Sequence, residues 1–375
     1  MGIRTCGIGV RPGHLQVMTR RSLLAGASLC MIAACAPGAT QAPTPLPRST
    51  PTAGVKPVAA VQSAADHARL PEDEAPHDNL TEWWYYTGHL AGAEARYGFE
   101  LVMFQARRLN YPSAYAAHFA VTDHQRKQFQ FDQRVGTDEQ PQTAPGFDLR
   151  LGDWQLRGRN GDDGLKAMTS DRQYGIDLTL HATKPPALHH GTGLITFGDA
   201  GDSYYYSRTR MLLQGNVQDH GAEIPVTGMA WMDHQWGNFV VGGKGGWDWY
   251  SIQLADGTDI MLSIVRSAEG ALVDPYGTVV GTQGDVLNLV PNDFTTQTTG
   301  TWTSPATGIA YPSGWTITVK PLQLTMTLTP VIPDQELAVK ASTGQAYWEG
   351  EVTVVGSTPA GPVTGEGYVE LTGYR

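Results

Sequence analysis

Cysteine is scarce in this sequence, and charged residues are few. The chain of 375 residues holds three cysteines, and all of them lie within the first 35 positions. The remainder cannot form a disulfide, so its stability has to come from core burial. Charged residues make up 17% of the chain, whereas glycine and proline occur 44 and 24 times. This balance favours a large globular protein with many strands and turns.

Long apolar runs and the best-known catalytic motifs are also missing. No apolar run reaches the roughly 18 residues that a membrane-spanning helix needs. The chain has no G-x-S-x-G motif, which disfavours a nucleophile-elbow hydrolase. No histidine or cysteine pair has zinc-ligand spacing, and the glycines of residues 242–246 lack P-loop spacing. We therefore expect neither a metal nor an organic cofactor, and we interpret residues 242–246 as a hinge.

The first 35 residues have the pattern of an export signal. Residues 19–24 read TRRSLL, a twin-arginine signature, and a short apolar run follows them. Residues 32–35, IAAC, resemble a bacterial lipobox. We therefore predict export by the twin-arginine route and lipidation of Cys35, which would anchor the mature protein in the bacterial cell envelope. Met18 directly precedes the signature, so residues 1–17 would be an upstream extension if the chain starts there.

Acidic residues outnumber basic ones, by 36 to 26. The arginines of the predicted signal have no acidic counterpart there, so the mature chain would carry a net charge of about −14. Such a charge disfavours nucleic acid and anionic lipid surfaces as partners. Membrane attachment would then depend on the lipid anchor alone. Residues 36–65 are rich in Pro, Ala and Thr, and they predict a disordered tether.

Short runs with an apolar residue at every second position recur from about residue 66. They are bounded by Gly, Asp, Asn and Pro, and no long amphipathic helix interrupts them. Asp256-Gly257 separates two such runs, which predicts a tight hairpin because glycine tolerates the positive φ of such turns. The pattern predicts an all-β protein built from antiparallel sandwiches or barrels.

Tryptophans, two acids and a histidine are concentrated in residues 228–266. An aromatic and acid–base cluster between two β-patterned halves is the default place for a site. A second cluster, EWWYY, begins at Glu82, where alternation would put Glu82, Trp84 and Tyr86 on one face of a strand. We predict catalytic roles for Glu82, Asp233, His234 and Asp248. We predict ligand contacts by Trp83, Trp84, Tyr86, Trp231, Trp236, Trp247, Trp249, Tyr250 and Gln253.

Two plainer interpretations of these residues stay open. Glu82 could be an acid at a strand end that pairs with Arg107 or Arg108. The tryptophans could form a packed domain interface in which every polar group is satisfied. Both interpretations would leave the residues with a structural role only.

Carboxyl groups among crowded tryptophans suit reactions in which an acid protonates a carbon. Such a protonation requires a neutral acid in a dry site. Burial keeps an Asp or Glu protonated because it raises the carboxyl pKa. Indole and phenol faces stabilise the resulting carbocation by roughly 1–2 kcal/mol each when they are desolvated. His234 could then position or deprotonate the attacking water.

Similarity to one known family extends over long segments of the chain. These segments are EWWYYTGHL, AHFAVTD, YYYSRTRM, VTGMAWMDHQWG, GWDWYSIQLADG, YPSGW, DQEL, YWEGEV and GEGYVELTGY. They resemble the carotenoid 1,2-hydratase (hydroxyneurosporene synthase) family, also known as AttH-like proteins. The resemblance implies two tandem lipocalin-like β-barrel or sandwich domains, here residues 66–241 and 242–375, packed around a ligand cavity at their interface. It also implies that His234 and Trp236 take part in catalysis.

Three functions are consistent with these features. The first is a hydratase-type lyase that binds an isoprenoid-like small molecule in the tryptophan-rich cavity and adds water to its double bond. The second is a lipid-anchored carrier that binds an apolar metabolite without converting it. The third is a secreted hydrolase of esters or lactones, which the missing nucleophile motif disfavours.

Overall fold

The computed structural model of the protein describes residues 67–108, 110–141, 143–196, 201–239, 245–267 and 269–375. The predicted export signal, the predicted tether, Cys35 and the predicted domain boundary at 241/242 lie outside these ranges. Within them, no helix is long and apolar enough to cross a membrane. The helices of the described ranges are three single 3₁₀ turns, at Glu72–Glu74, His189–Gly191 and Lys320–Leu322.

The first of two large antiparallel sheets contains twelve strands in the described part of the chain. They are β1 (Thr81–Ala91), β2 (Arg96–Ala106), β3 (Ala114–Asp123), β4 (Gln128–Gly136), β5 (Phe147–Leu151), β6 (Trp154–Arg159), β7 (Asp162–Met168), β8 (Tyr174–Ala182), β9 (Ala187–Leu188), β10 (Leu194–Thr196), β11 (Asp202–Asp219) and β12 (Ala222–Gly237). The pairing order is β4-β3-β2-β1-β12-β11-β8-β7-β6-β5, with β9 and β10 both paired to β11. The pairing of β1 with β12 therefore joins strands β1–β4 to the rest of the sheet.

The second large sheet follows the first in the chain. The remaining strands are β13 (Gly246–Leu254), β14 (Asp259–Arg266), β15 (Leu272–Val280), β16 (Val286–Leu289), β17 (Phe294–Thr298), β18 (Thr301–Thr303), β19 (Ala310–Pro312), β20 (Trp315–Val319), β21 (Leu324–Pro330), β22 (Glu336–Leu337), β23 (Tyr347–Thr358) and β24 (Gly361–Leu371). The pairing order is β16-β15-β14-β13-β24-β23-β21-β20-β17, with β22 paired to β23. Strands β18 and β19 pair with each other in a small separate sheet.

Each large sheet curls into a nearly closed barrel, which confirms the predicted all-β fold of two tandem lipocalin-like barrels. The first sheet ends at Gly237 and the second begins at Gly246. Strands β13 and β14 form the hairpin predicted at Asp256-Gly257, where Gly257 has a φ of +93°. A residue with a side chain would be strained in that conformation.

Buried apolar side chains form four separate clusters in the described ranges, the smallest of which contains Ala120, Leu337, Val339 and Tyr347. One cluster fills the first barrel and includes Trp84, Trp154 and Tyr206. A second fills the second barrel and includes Tyr250, Trp315 and Trp348. A third cluster takes residues from both sheets and lies between them; it includes Tyr85, Tyr205, Trp231, Trp249, Tyr276 and Tyr368. The apolar cluster between the sheets consists mainly of aromatic residues. The contact between the barrels is therefore packed like a hydrophobic core and is not a loose domain interface.

Candidate active site

Strand alternation divides the predicted site residues among three places. Inside the first barrel lie Glu82, Trp84, Tyr86, His234 and Trp236. Between the sheets lie Trp83, Trp231, Asp233, Trp247, Trp249 and Gln253. Inside the second barrel lie Asp248 and Tyr250. The expectation that these residues line one interface cavity is therefore corrected, because neighbouring residues of a strand point to opposite faces of the sheet.

Glu82 is the centre of a hydrogen-bonded cluster inside the first barrel. Its Oε1 accepts from His77 Nδ1 and from His234 Nε2, each at 2.8 Å. Its Oε2 accepts from the His77 backbone N–H at 2.8 Å and from Gln105 Nε2 at 3.1 Å. Glu82 and His234 are both fully buried. Through four accepted hydrogen bonds Glu82 ties the segment before β1 to β2 and β12.

His234 has one engaged and one free ring nitrogen. Because the Glu82 carboxylate can only accept, the hydrogen-bond network assigns the proton to Nε2 and leaves a lone pair on Nδ1. Burial lowers the pKa of His234, so the ring is neutral. Its Nδ1, Trp84 Nε1 and the Tyr206 hydroxyl have no partner among the described residues.

Three residues of the Glu82 cluster form the one group of His, Cys, Asp or Glu side chains in the described ranges that could hold a metal ion. The ligand atoms of His77, Glu82 and His234 lie within 4.8 Å of one another. Both histidine nitrogens already lie 2.8 Å from the same carboxylate oxygen. That separation is an ordinary hydrogen-bond distance.

A solvent-open cavity of about 1280 Å³ borders the first barrel. Its buried lining includes Leu90, Phe147, Asp163 and Leu180. Burial raises the pKa of Asp163 to about 7, although the Tyr86 hydroxyl donates to it at 2.8 Å. Asp163 is an acid that the sequence reasoning did not single out.

Asp248 is neutralised inside the second barrel. Arg266 donates to its Oδ1, and the Tyr374 hydroxyl donates to the same oxygen at 2.9 Å. Burial raises the pKa of Asp248, and Arg266 opposes that rise. Asp248 therefore forms an ion pair with Arg266.

Four carboxyl groups gather between the two sheets. We call Glu100, Asp233, Glu349 and Glu370 the inter-sheet acid cluster. Glu100 and Glu349 are 1% and 0% exposed, and Glu370 is half-buried. They come from strands β2, β12, β23 and β24, so both barrels contribute.

Aromatic side chains hold one oxygen of each glutamate in the inter-sheet acid cluster. The Tyr347 hydroxyl donates to Glu100 Oε1 at 2.9 Å, and the Tyr85 hydroxyl donates to Glu349 Oε1 at 2.8 Å. Trp247 Nε1 donates to Glu370 Oε2 at 2.7 Å. The Oε2 atoms of Glu100 and Glu349 are buried and have no partner among the described residues. Two hydroxyls on neighbouring strands, of Thr87 and Tyr368, are unpartnered as well.

No ion pair reaches these three glutamates within the described ranges, in contrast to other buried acids. Glu351, for example, lies between His89 and His124 at 2.8 and 2.7 Å. Burial raises the pKa of Glu100 to about 8 and that of Glu370 to about 7. Burial and the neighbouring acids raise the pKa of Glu349 well above its ordinary value.

Asp233 completes the cluster on the side of the first barrel. It accepts hydrogen bonds from Tyr205 Oη at 2.5 Å, from Trp231 Nε1 at 2.6 Å and from Ser207 Oγ. Burial raises its pKa to about 7, which those donors partly oppose. Trp249 donates to Tyr205 and packs edge-on against Tyr85 with ring centres 5.3 Å apart. The acids are thus surrounded by indole and phenol rings.

Comparison with known proteins identifies the family. The sequence model described as AttH-like matches residues 61–374. The chain belongs to the AttH-like family. A protein assigned as AttH from Nitrosomonas europaea is 28% identical, with a TM-score of 0.75 over 84% of this chain and 99% of that one.

Two fungal enzymes are also similar to this AttH-like protein. The dehydratase AsqC of Emericella nidulans is 26% identical over 219 residues, which are 55% of this chain and 60% of that relative. The similarity thus spans less than two thirds of the relative's length. Kievitone hydratase of Nectria haematococca shares the fold at 18% identity, with a TM-score of 0.66 over 82% of this chain and 93% of that one. Members of this fold therefore include enzymes named for removing and for adding water.

Two of the three glutamates that the sequence reasoning missed in this AttH-like protein lie inside segments that carried the resemblance. Glu349 lies in YWEGEV and Glu370 in GEGYVEL, while Glu100 follows YGF on β2. An acid within an otherwise apolar and aromatic strand is the local signal that would have marked them.

The raised pKa values predict that the AttH-like protein loses stability as the pH rises. A folded-state pKa above the unfolded value means that the native state holds protons which the unfolded state has released. The stabilisation is complete below about pH 4.5 and is lost as the pH rises through about 8, the pKa of Glu100. Replacing Glu349 by glutamine should therefore raise the unfolding free energy at pH 9, on the order of 2 kcal/mol, and flatten its pH dependence.

Urea unfolding at pH 5, 7 and 9 measures this effect. Glu366→Gln is the matched control, because Glu366 is an exposed acid on the same strand as Glu370. Equal pH slopes in wild type and Glu349→Gln would show that Glu349 is ionised in the native state, contrary to the expectation.

Proposed function

We propose that the protein is a lyase that adds water to a carbon–carbon double bond of an apolar small molecule, or forms such a bond by removing water from an alcohol. The observation that carries this proposal is the Glu100–Glu349 pair, two buried carboxyls with free oxygens and no cationic partner among the described residues. Its location between two aromatic sheet faces supports an apolar ligand. The hydratase and dehydratase names among its relatives support the reaction class.

Protonation of the double bond is the first step. Glu349 or Glu100 donates its proton to one alkene carbon and becomes a carboxylate, while the other carbon becomes a tertiary cation. A carboxyl held neutral by burial is a suitable donor at neutral pH. The free Oε2 atoms of the pair are the oxygens from which the proton would leave.

Stabilisation of the cation is the second step. Tyr85, Trp247 and Trp249 present ring faces and edges beside the acids. Each ring face contributes about 1–2 kcal/mol to a desolvated cation. The carboxylate left by the first step adds a charge of opposite sign.

Attack by water completes the reaction. The oxygen of one water molecule bonds to the cationic carbon, and its proton passes to the carboxylate formed in the first step. The acid is thereby restored, and the product is an alcohol with one more molecule of water than the substrate. Dehydration uses the same groups in reverse, with the carboxylic acid donating its proton to the leaving hydroxyl.

Entry to the inter-sheet acid cluster would be between the barrels. Trp83, Phe104 and Trp247 are only partly buried, as is Glu370. The other aromatic residues of the apolar cluster between the sheets are buried. An apolar molecule could enter between these rings with its double bond facing Glu349. The ring edges would exclude bulk water from the acids.

Glu82 and His234 support this site from the opposite sheet face. Trp84 pairs with His234 across β1 and β12, and the next pair in the register is Tyr85 with Asp233. Fixing the first pair inside the barrel therefore fixes the second pair between the sheets. In this proposal Glu82 and His234 position the reacting groups and do not touch the substrate.

Export and lipid anchoring at Cys35 complete the proposal. An anchored protein of the cell envelope would meet apolar substrates in or near the membrane. The twin-arginine signature and the lipobox-like sequence support this location.

A mass-spectrometric assay tests the reaction class. The purified protein is incubated with a panel of isoprenoid alkenes and the corresponding tertiary alcohols. The proposal expects at least one compound to gain or lose the mass of one water molecule at a rate proportional to protein concentration. Retention of a panel compound without conversion would favour a carrier and contradict the proposal.

A further inference from the structure

Glu100 is connected to the surface by a chain of hydrogen bonds. Tyr347 Oη lies 2.9 Å from Glu100 Oε1, and His118 Nδ1 lies 2.8 Å from Tyr347 Oη. His118 Nε2 lies 2.9 Å from Ser342 Oγ, which lies 2.8 Å from Gln133 Oε1. Glu100 and His118 are buried, whereas Ser342 and Gln133 are half-buried. The chain thus runs from a buried carboxyl to groups that water can reach.

The protons of this chain can all point towards Glu100. Burial lowers the pKa of His118 to about 3, so the ring is neutral and carries one proton. Tyr347 donates its proton to Glu100, so its oxygen accepts from His118 Nδ1. His118 Nε2 then has a lone pair, which the Ser342 hydroxyl at 2.9 Å reaches when it turns from its acceptor Gln133 Oε1. From Ser342 inwards, each member then donates to the next one.

We infer that Ser342, His118 and Tyr347 form a proton relay that supplies Glu100 from solvent. In one inward transfer, Tyr347 gives its proton to the Glu100 carboxylate and takes one from His118 Nδ1. His118 Nε2 takes the Ser342 proton, and Ser342 takes one from water. One proton enters the relay, and Tyr347, His118 and Ser342 are all neutral afterwards. This is necessary because the low pKa of His118 disfavours a doubly protonated ring.

The relay reaches Glu100 through Tyr347, which donates to its Oε1, whereas its Oε2 has no partner among the described residues. In the proposed reaction a bound apolar molecule would keep water from that free oxygen, so the proton would arrive through Tyr347. This inference rests on the proposed function for its purpose, but the proton transfer itself is a property of the chain without any substrate.

Hydrogen–deuterium exchange of the Glu100 carboxyl tests the relay. Infrared spectroscopy detects the C=O stretch of a protonated carboxyl, and its loss in Glu100→Gln assigns the band. After rapid transfer into D₂O, the shift of this band reports the exchange rate. Tyr347→Phe removes one hydroxyl from the relay, and Tyr85→Phe removes the equivalent hydroxyl from Glu349 as a matched control. We expect exchange at Glu100 to be about tenfold slower in Tyr347→Phe, or about 1.4 kcal/mol on the barrier, and unchanged in Tyr85→Phe.

The outcomes separate this inference from the proposed function. Equal exchange rates in Tyr347→Phe and wild type would overturn the relay and leave Glu100 as an acid. Equal slowing in both tyrosine variants would also overturn it, because the effect would then be a general loss of packing. Absence of any band that disappears in Glu100→Gln would contradict the protonated acid on which the proposed function depends.

Discussion

Replacing Glu349 by glutamine is expected to lower the rate of water addition by about 10²–10⁴-fold. Glutamine keeps the shape of the side chain and can still accept from Tyr85, but its amide cannot give a proton to carbon. The rate is measured on a compound that the wild-type protein converts. In wild type it should fall as the pH rises through about 8, where Glu100 loses its proton.

Two further variants make the result on Glu349 interpretable. Glu366→Gln changes an exposed glutamate on β24 and should leave the rate unchanged. The double variant Glu100→Gln/Glu349→Gln removes the neighbouring donor, and it should retain no more activity than Glu349→Gln. A double variant with the wild-type rate would show that neither carboxyl donates the proton.

Replacing Glu82 by alanine is expected to reduce the free energy of unfolding on the order of 3–5 kcal/mol. The change leaves His77, His234 and Gln105 without the carboxylate that all three contact. It also opens space beside Trp84 and Trp236, which pack against His234. Urea unfolding at neutral pH measures the loss.

Glu82→Gln and Glu94→Ala are the controls for that measurement. Glutamine keeps one acceptor oxygen and the packing, so a smaller loss and a folded protein are expected. Glu94 is exposed in the turn between β1 and β2, so Glu94→Ala should change stability little. A loss at Glu82→Ala no larger than at Glu94→Ala would show that the buried hydrogen bonds of Glu82 contribute nothing.

Period-two patterning predicted an all-β fold and the two faces of the strand that begins near Glu82. That run lies in β1, and Glu82, Trp84 and Tyr86 share the predicted face. Alternation depends only on neighbouring residues of one strand, so the sequence carries it directly.

The sequence did not show which strand face points into a barrel and which points between the sheets. That assignment depends on the pairing of strands that are far apart in the chain. The interpretation of Glu82 as a partner of Arg107 or Arg108 was wrong, since Glu82 contacts His77 and His234 and Arg107 pairs with an aspartate. That contact exists because β1 pairs with β12, far along the chain. Local pattern could not supply it.

The three glutamates of the inter-sheet acid cluster were missed because their contacts also depend on residues far apart in the chain. Glu100 and Glu349 are brought together only when two separately folded sheets pack face to face. Each acid alone is an ordinary residue of its strand, and only their joint burial without a cation gives them raised pKa values. Asp233 was predicted because it stands beside the tryptophans that it does contact.

Incubation in a mixture of D₂O and H₂¹⁸O tests the central claim most directly. Acid-catalysed hydration places solvent deuterium on one alkene carbon and ¹⁸O on its neighbour, and both labels should be absent in the Glu100→Gln/Glu349→Gln variant. Mass spectrometry of the product and its fragments locates both labels. A product with ¹⁸O but no carbon-bound deuterium would indicate hydrolysis, and recovery of the unlabelled compound would indicate binding alone; either result would contradict the proposed lyase.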